Sequence, residues 1–278
     1  MSNSTTQQVD RWGRVTPGED LRDSIFDFMY DKYFRVTWEG VEHIPKRGGA
    51  LLVGNHAGML PVDGKIVQMG VERERGRPVY GLGFKGFFDL PFVGRLVERV
   101  GVVVGHPDNA ERLLREDEQL VMVFPEGSKG PVKPPSERYK LQRFGRGGFV
   151  ETAMRAGVPI VPIVLVGTED TTPVLGVLPS PNGDFPVTVN ALMFGPILGA
   201  VAQFPAKIRV RVLPPIEWDD SHVPKHIPLS ILMDRAQEVR SLMQSELDRM
   251  LDERDGIYFD SSNEKLPEES GDRGRSRS

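Results

Sequence analysis

The stretch Ala50-Leu51-Leu52-Val53-Gly54-Asn55-His56 passes from an unbroken apolar run into a turn that carries a histidine. A short apolar run that ends at glycine and asparagine is typical of a buried strand, so the sequence predicts a strand at 50–53 with His56 at its carboxyl end. Imidazole exchanges a proton near neutral pH, and a carboxylate can bind its other ring nitrogen and stabilise the charged ring. Asp63 is the candidate carboxylate. The alternative is an ordinary polar pair without chemistry.

Strands and helices alternate on both sides of this stretch. Predicted strands lie at 35–39, 50–53, 78–83, 101–105, 119–124 and 158–166, and predicted helices at 62–74, 91–100, 109–116 and 147–156. This alternation favours a single α/β domain built on a mostly parallel, twisted sheet with helices on both faces. We assign the domain to residues 20–256, with a flexible amino terminus at 1–19 and a disordered tail at 257–278, because both ends are polar and poor in large apolar residues.

Four further segments complete the domain. Residues 21–34 have helical spacing and a wide apolar surface, which predicts a helix that docks on the core or, alternatively, lies in a lipid interface. Residues 168–204 are rich in Pro and Gly and predict loops with short strands, a candidate lid. Residues 207–213 alternate charged and apolar side chains, as an edge or half-exposed strand does, and residues 229–252 form an amphipathic helix.

Composition excludes several classes of function. The chain has no cysteine, so it has no disulfide, thiolate ligand or cysteine nucleophile. With 35 basic and 39 acidic residues it has no general basic field, and we expect no nucleic-acid partner. No apolar run approaches the about 20 residues that cross a bilayer, and the amino terminus lacks a secretory pattern. We expect a cytoplasmic protein, with peripheral contact at the inner face of the membrane as an addition. Nothing in the pattern specifies an oligomeric state.

A second polar turn follows another predicted strand. Val121-Met122-Val123-Phe124 runs directly into Pro125-Glu126-Gly127-Ser128-Lys129-Gly130. Ligands of parallel sheets bind outside the carboxyl ends of the strands, which is where this turn falls. Backbone N–H groups of residues 127–130 together with Lys129 can hold a phosphate, although Pro-Glu-Gly also makes an ordinary turn.

Together these runs resemble the glycerolipid acyltransferase family typified by lysophosphatidic acid acyltransferase. Four blocks carry the resemblance in the family's order, over 38–169: Asn55-His56 with Asp63; Lys85-Gly86-Phe87-Phe88-Asp89-Leu90-Pro91-Phe92-Val93-Gly94 with Gly101-Val102-Val103-Val104; Phe124-Pro125-Glu126-Gly127; and Val158-Pro159-Ile160-Val161-Pro162-Ile163.

The resemblance implies transfer of a fatty acyl group from acyl-CoA or an acyl-carrier-protein thioester to a lipid hydroxyl, with no cofactor and no metal. His56 would be the general base and Asp63 its orienting carboxylate, without an acyl-enzyme. The acceptor would be a glycerolipid alcohol such as lysophosphatidic acid. The substrate-binding residues would be Lys85, Phe124, Pro125, Glu126, Gly127, Ser128 and Lys129.

Two features depart from the family pattern. Six residues separate His56 from Asp63 where the common motif has four, so the pairing requires the intervening loop to fold back. The middle block of many relatives ends in an arginine that holds the acceptor phosphate, whereas this chain has Gly105-His106-Pro107. Lys85, Lys129, Arg143 and Arg146 are candidate replacements, and the alternative is an acceptor that lacks a phosphate, such as a glycolipid or monoacylglycerol.

Other candidates have simpler explanations. Asp108 is expected to cap the helix that follows His106. Pro224 separates His222 from His226 and excludes a helical metal pair. The turn Gly145-Arg146-Gly147-Gly148 either binds phosphate or only breaks the chain before a helix. At the level of function, two alternatives stay open: a non-catalytic lipid-binding protein on an acyltransferase fold, and an acyl-thioester hydrolase. The hydrolase lacks a Gly-x-Ser-x-Gly nucleophile and would have to use water.

Overall fold

The computed structural model describes residues 8–15, 21–57, 62–89, 92–179, 184–195, 198–199, 202–218 and 227–258. The strands are β1 (Thr37–Glu39), β2 (Ala50–Gly54), β3 (Val79–Gly83), β4 (Val102–Val104), β5 (Leu120–Val123), β6 (Ile160–Val166), β7 (Val174–Leu178), β8 (Phe185–Thr188) and β9 (Arg209–Val212). The helices are α1 (Leu21–Phe28), α2 (Val62–Arg75), α3 (Lys85–Phe88), α4 (Val93–Arg99), α5 (Pro107–Glu111), α6 (Gly148–Ala156), α7 (Thr168–Thr171), α8 (Val189–Phe194) and α9 (Leu229–Asp252).

Seven of the described strands form one sheet in the order β1-β9-β6-β2-β5-β3-β4, and β7 pairs with β8 in a separate hairpin. The neighbours β6, β2, β5, β3 and β4 are all parallel. β9 is antiparallel to β6 and parallel to β1. The predicted α/β class with a mostly parallel sheet is confirmed, and β2 and β5, the strands that precede the two polar turns, are direct neighbours.

The two faces of the sheet carry separate cores, because successive residues of a strand point to opposite faces. Leu51 and Val53 of β2 face the core that contains the apolar stripe of α9. Ala50 and Leu52 face the core that contains α2. The stripe of α9 consists of Leu232, Ala236, Val239, Met243, Leu247 and Met250, all buried. Helices therefore cover both faces, as the alternating pattern predicts.

Helix α1 and the π turn that follows it (Met29–Tyr33) dock on the domain through their carboxyl-terminal end. Tyr30 and Phe34 are buried in the α2 core. Arg73 of α2 reaches back to Asp27 and Asp31, with nitrogen–oxygen distances of 2.6 and 2.7 Å. Of the two alternatives for this segment, docking on the core is the one that the structure contains.

The prediction that residues 207–213 form an edge or half-exposed strand is wrong, because β9 lies between β1 and β6 inside the sheet. The charged residues of β9 give the sequence the pattern of a solvent-exposed face, but their side chains form ion pairs. Arg211 binds Glu246 at 2.6 Å and Glu253 at 2.8 Å, and Arg209 binds Glu39 at 2.9 Å. The carboxylates of β1 and of the carboxyl-terminal end of α9 thus compensate these cations, which sequence periodicity cannot reveal.

Two segments have more structure than their composition predicts. Of the predicted flexible amino terminus, residues 8–15 contact the domain: the Trp12 ring nitrogen donates to Asp117 at 2.8 Å, and the Val15 N–H donates to the Arg99 carbonyl at 3.1 Å. The short strands predicted within residues 168–204 are present as the β7–β8 hairpin, and the helices α7 and α8 are the structure that the composition does not predict. The tail from residue 259 onward lies outside the described residues, so its predicted disorder stays a prediction.

Gly70 marks a close approach between α2 and β1. A Cβ atom placed on Gly70 would lie 2.1 Å from the Trp38 ring, which cannot move aside as a flexible side chain can. Glycine inside a helix normally costs about 1 kcal/mol relative to alanine. We predict the opposite here: Gly70→Ala destabilises the domain by about 1–3 kcal/mol through overpacking, measured by chemical denaturation.

Gly148→Ala is the matched control, because no atom lies within 4 Å of a Cβ built at Gly148 in α6. We expect that variant to be neutral or slightly more stable than the parent. Equal stabilisation by both substitutions would contradict the close packing of Gly70 on Trp38.

Candidate active site

The turn after β2 is fixed by the side chain of Asn55. Its amide nitrogen donates to the Leu165 carbonyl at 3.0 Å, and its amide oxygen accepts the Leu165 N–H at 2.8 Å. Asn55 is buried. Through these two hydrogen bonds its side chain continues the pairing of β2 with β6 where the β2 backbone leaves the sheet. This pairing sets the position of the next residue, His56, at the carboxyl end of the sheet.

The structure brings His56 and Asp63 together. Nδ1 of His56 lies 2.6 Å from Oδ2 of Asp63, and the same oxygen accepts the Ala57 N–H at 2.8 Å. The other carboxylate oxygen accepts the Gly64 N–H at 2.8 Å. Asp63 is fully buried in the first turn of α2, where unpaired N–H groups and the helix dipole favour an anion. The six-residue spacing is therefore compatible with the pair, and residues 58–61 themselves lie outside the described residues.

The environment of the His56 ring favours proton transfer at one defined nitrogen. The ring stacks on Phe124, with centroids 4.5 Å apart and planes at 21°. Burial of the ring disfavours the imidazolium, but the Asp63 charge and hydrogen bond, together with the Glu126 charge, outweigh burial and raise the pKa of His56 above its ordinary value. Since Asp63 occupies Nδ1, Nε2 is the nitrogen left for a substrate proton.

Glu126 holds the main chain of His56 rather than facing solvent. Its side chain is fully buried. Oε1 accepts the His56 N–H at 3.0 Å, while Oε2 accepts the Gln142 N–H at 2.8 Å and lies 3.1 Å from Nζ of Lys133. The resemblance implies a substrate contact for Glu126, but three protein donors already surround its carboxylate. The geometry instead supports a positioning role for this residue.

Lys133 and Glu169 complete this network, and sequence reasoning missed both. Nζ of Lys133 lies 2.9 Å from Oε1 of Glu169, so the buried ammonium bridges two carboxylates. Burial lowers the pKa of Lys133, but Glu169 and Glu126 together raise it above its ordinary value, which keeps the side chain charged. The only sequence signal was that Lys133 closely follows the Phe-Pro-Glu-Gly block; Glu169 is adjacent only in the fold.

The remaining predicted binding residues surround the same sheet edge on its solvent side. Gly127, Ser128 and Lys129 form an exposed 3-10 turn after β5 and Pro125. Gly130 then packs against His56, since a Cβ placed there would lie 2.9 Å from the His56 Cβ. Lys85 begins α3 after β3, is exposed and pairs with Asp89 at 3.2 Å. Contact of these residues with substrate stays a prediction.

Geometry bears on two other interpretations, and phosphate binding by the turn at 145–148 stays a prediction. His106, not Asp108, caps α5: its Nδ1 accepts the Asp108 N–H at 3.3 Å, so the prediction for Asp108 is wrong because the cap lies two residues earlier. At Gly147, a Cβ would lie 2.4 Å from the Leu232 carbonyl oxygen, which explains this glycine by packing against α9. His222 and His226 lie outside the described residues.

A cleft opens beside this network. Its lining includes Ala57, Lys133, Arg138, Glu169, Thr172 and Val174. Ala57 directly follows His56, so the cleft borders the turn that carries His56. Among the described residues, no three His, Asp or Glu side chains converge as a metal site does, and no described helix is long and apolar enough to span a bilayer.

Comparison with known proteins identifies the family and several relatives of the chain. The acyltransferase family model matches residues 35–166. An uncharacterized protein of Mycobacterium tuberculosis is 37% identical over 242 residues, which cover 84% of this chain and 67% of that protein. The chloroplastic 1-acyl-sn-glycerol-3-phosphate acyltransferase of Arabidopsis thaliana is 27% identical over 151 residues, 51% of this chain and 38% of that one.

Among solved structures, the 1-acyl-sn-glycerophosphate acyltransferase PlsC of Thermotoga maritima is similar with a TM-score of 0.46 and 17% identity, covering 85% of this chain and 84% of that one. The residues matched by the family model run from β1 to β6 and include both polar turns. His56 and Asp63 both lie within the matched region, and the chain belongs to the acyltransferase family.

Proposed function

We propose that this acyltransferase moves a fatty acyl group from acyl-CoA or acyl-carrier protein to a hydroxyl of a glycerolipid such as lysophosphatidic acid. The observation that carries the proposal is the 2.6 Å contact between His56 Nδ1 and Asp63 Oδ2 at the carboxyl end of β2. A buried carboxylate on Nδ1 fixes the tautomer and leaves Nε2 as a base. The family supplies the reaction class, and the lipid acceptor is our inference from the resemblance of the four sequence blocks.

The proposed reaction is a direct transfer. Nε2 of His56 takes the proton of the acceptor hydroxyl as its oxygen attacks the thioester carbonyl carbon. The carbon–sulfur bond then breaks, and the leaving thiolate takes the proton from the imidazolium. The products are an ester and a free thiol. Asp63 stabilises the imidazolium while it exists. No cofactor beyond the thioester co-substrate takes part.

The proposed reaction implies two substrates and contact with a membrane. The acyl donor and a lipid alcohol are its substrates, and a lipid acceptor implies peripheral contact with a membrane, at its inner face for a cytoplasmic enzyme. The exposed turn of Gly127, Ser128 and Lys129 lies at the same sheet edge as His56 and is our candidate contact for the acceptor headgroup. Lys85 is a second candidate there, because it follows β3, the next strand beyond β5.

The first test uses a labelled acyl-CoA and a total lipid extract. We expect label in one lipid class with release of an equal amount of thiol. His56→Ala should lower turnover by about 10²–10⁴-fold, the usual contribution of a general base, while the variant stays folded with a lower melting temperature, because the buried Asp63 loses one of its hydrogen-bond donors. Near-normal turnover by the folded variant would exclude His56 as the base.

The same assay separates the two alternative functions. Thiol release in the absence of any acceptor, with free fatty acid as product, would identify a hydrolase. Lipid binding without thiol release from either donor would identify a non-catalytic binding protein. Either result would overturn the proposed transfer.

The second test is the pH dependence of kcat/KM. Because the pKa of His56 is raised and only the neutral ring is a base, kcat/KM should fall as the pH drops through a value above the ordinary about 6.5. Asp63→Asn removes the charge that favours the imidazolium, so the acidic limb should move to lower pH as the maximal rate falls. An unchanged limb would show that Asp63 does not act on His56.

The third test concerns Glu126. Glu126→Gln keeps the shape of the side chain but replaces one carboxylate oxygen with an NH₂ group, which cannot accept the hydrogen bond that this oxygen accepts. The substitution should therefore displace the His56 main chain. We expect kcat to fall by about 10–100-fold with little change in the KM of the acceptor. Glu151→Gln on the surface of α6 is the matched control and should leave both constants unchanged. An increase of acceptor KM alone would instead indicate that Glu126 binds the acceptor.

A further inference from the structure

The segment between Asp170 and Lys207 has an unusual charge content. Asp184 is its one charged residue. The segment contains the hairpin of β7 and β8 followed by α8, and we call residues 173–206 the hairpin–helix segment. Charged residues make up 27% of the whole chain. So long a segment with one charged residue, outside the buried strands, indicates a surface that contacts something other than water.

Large apolar side chains of this segment are exposed. They are 45–68% exposed and comprise Leu175, Leu178, Phe185, Leu192, Met193, Phe194 and Leu198. Leu178 and Phe185 are direct partners in the β7–β8 register, so they lie side by side on one face of the hairpin. Clusters of exposed apolar side chains on a folded protein mark sites of protein or membrane contact.

The stem of the segment is held firmly, so this exposure is built into the fold. Asn190 of α8 is fully buried, and its amide nitrogen donates to the Thr171 carbonyl at 3.0 Å. The hydroxyls of Thr171 and Thr172 donate to the side-chain oxygen of Gln203 at 2.7 and 2.9 Å. The Tyr33 hydroxyl donates to the Gln203 carbonyl at 2.6 Å. Buried polar bonds of this kind fix one backbone arrangement, which keeps the apolar side chains turned outward.

The hairpin–helix segment begins beside the candidate active site. Thr172 and Val174, at the start of the hairpin, line the same cleft as Ala57 and Lys133. The hairpin–helix segment therefore begins close to the turn that carries His56.

We propose that the hairpin–helix segment docks the enzyme on a lipid bilayer by inserting its apolar side chains at the boundary between headgroups and acyl chains. This inference rests on the proposed function, since a lipid acceptor resides in a bilayer. The near absence of charge matches an apolar phase. A protein interface has a polar rim around its apolar core, whereas Asp184 is the one charged residue of this segment. Asp184 opposes selection for anionic lipid.

The experiment is sedimentation of the purified full chain with phosphatidylcholine vesicles at low and high salt. We expect binding that changes little with salt, because insertion of apolar side chains involves no counterion release. The double substitution Leu192→Asp with Met193→Asp should weaken binding by about 10-fold or more, since two large apolar side chains no longer enter the lipid. Leu242→Asp, at an exposed apolar position of α9, is the matched control and should bind like the parent.

Several results would overturn the proposal. One is absence of binding to phosphatidylcholine vesicles by the parent chain; another is binding only to anionic vesicles that high salt abolishes. A third is a dimer in sedimentation velocity that the double variant dissociates while vesicle binding is absent, which would make this surface an interface between two copies of the chain.

The result can be separated from the test of the proposed function. His56→Ala should bind vesicles as the parent does, so loss of catalysis does not affect the binding assay. The double variant should retain transfer to a short-chain acceptor dispersed in water and lose transfer to an acceptor embedded in vesicles. Equal loss with both acceptors would indicate damage to the domain and contradict a docking role.

Discussion

The buried carboxylate of Asp63 is the constraint on which the candidate site depends. An unpaired carboxylate away from water is costly, and Asp63 offsets this cost by accepting the His56 ring N–H and the main-chain N–H groups of Ala57 and Gly64. These bonds tie the first turn of α2 to the turn after β2. The orientation of the proposed base is therefore set by the packing of a helix against a strand end, and residues that hold that helix also hold the site.

A second carboxylate secures the main chain of His56. Glu126 follows β5, the neighbour of β2, and binds the His56 main chain, while Asp63 binds the ring. Lys133 lies between Glu126 and Glu169, and this bridge compensates the two buried charges. Because the ring and the main chain have separate supports, a change at either support alters the position of the base in a different way. The parallel pairing of β2 with β5 is what allows both supports to meet at one residue.

The charged interior of the site contrasts with the surface beside it. Lys133 and Glu169 border a cleft whose other wall leads into a segment with a single charge and many exposed apolar side chains. A polar reaction centre next to an apolar surface suits an amphipathic substrate, whose hydroxyl has to reach the base while its acyl chain stays out of water. The proposed docking role for the Pro- and Gly-rich part of the chain differs from the lid that its composition suggested.

The sequence by itself determined the α/β class, the buried strand that ends at His56 and the resemblance carried by four blocks, because these are written in local periodicity and in short runs of residues. Only the tertiary structure decided that Asp63 reaches His56, that Glu126 points inward and that β9 lies inside the sheet. Lys133 and Glu169 form an ion pair although 36 positions separate them in the sequence. Arg211 likewise pairs with carboxylates on two distant elements. Local patterns record which face of an element is buried, whereas ion pairs depend on strand order and helix packing, which bring together residues that are far apart in the chain.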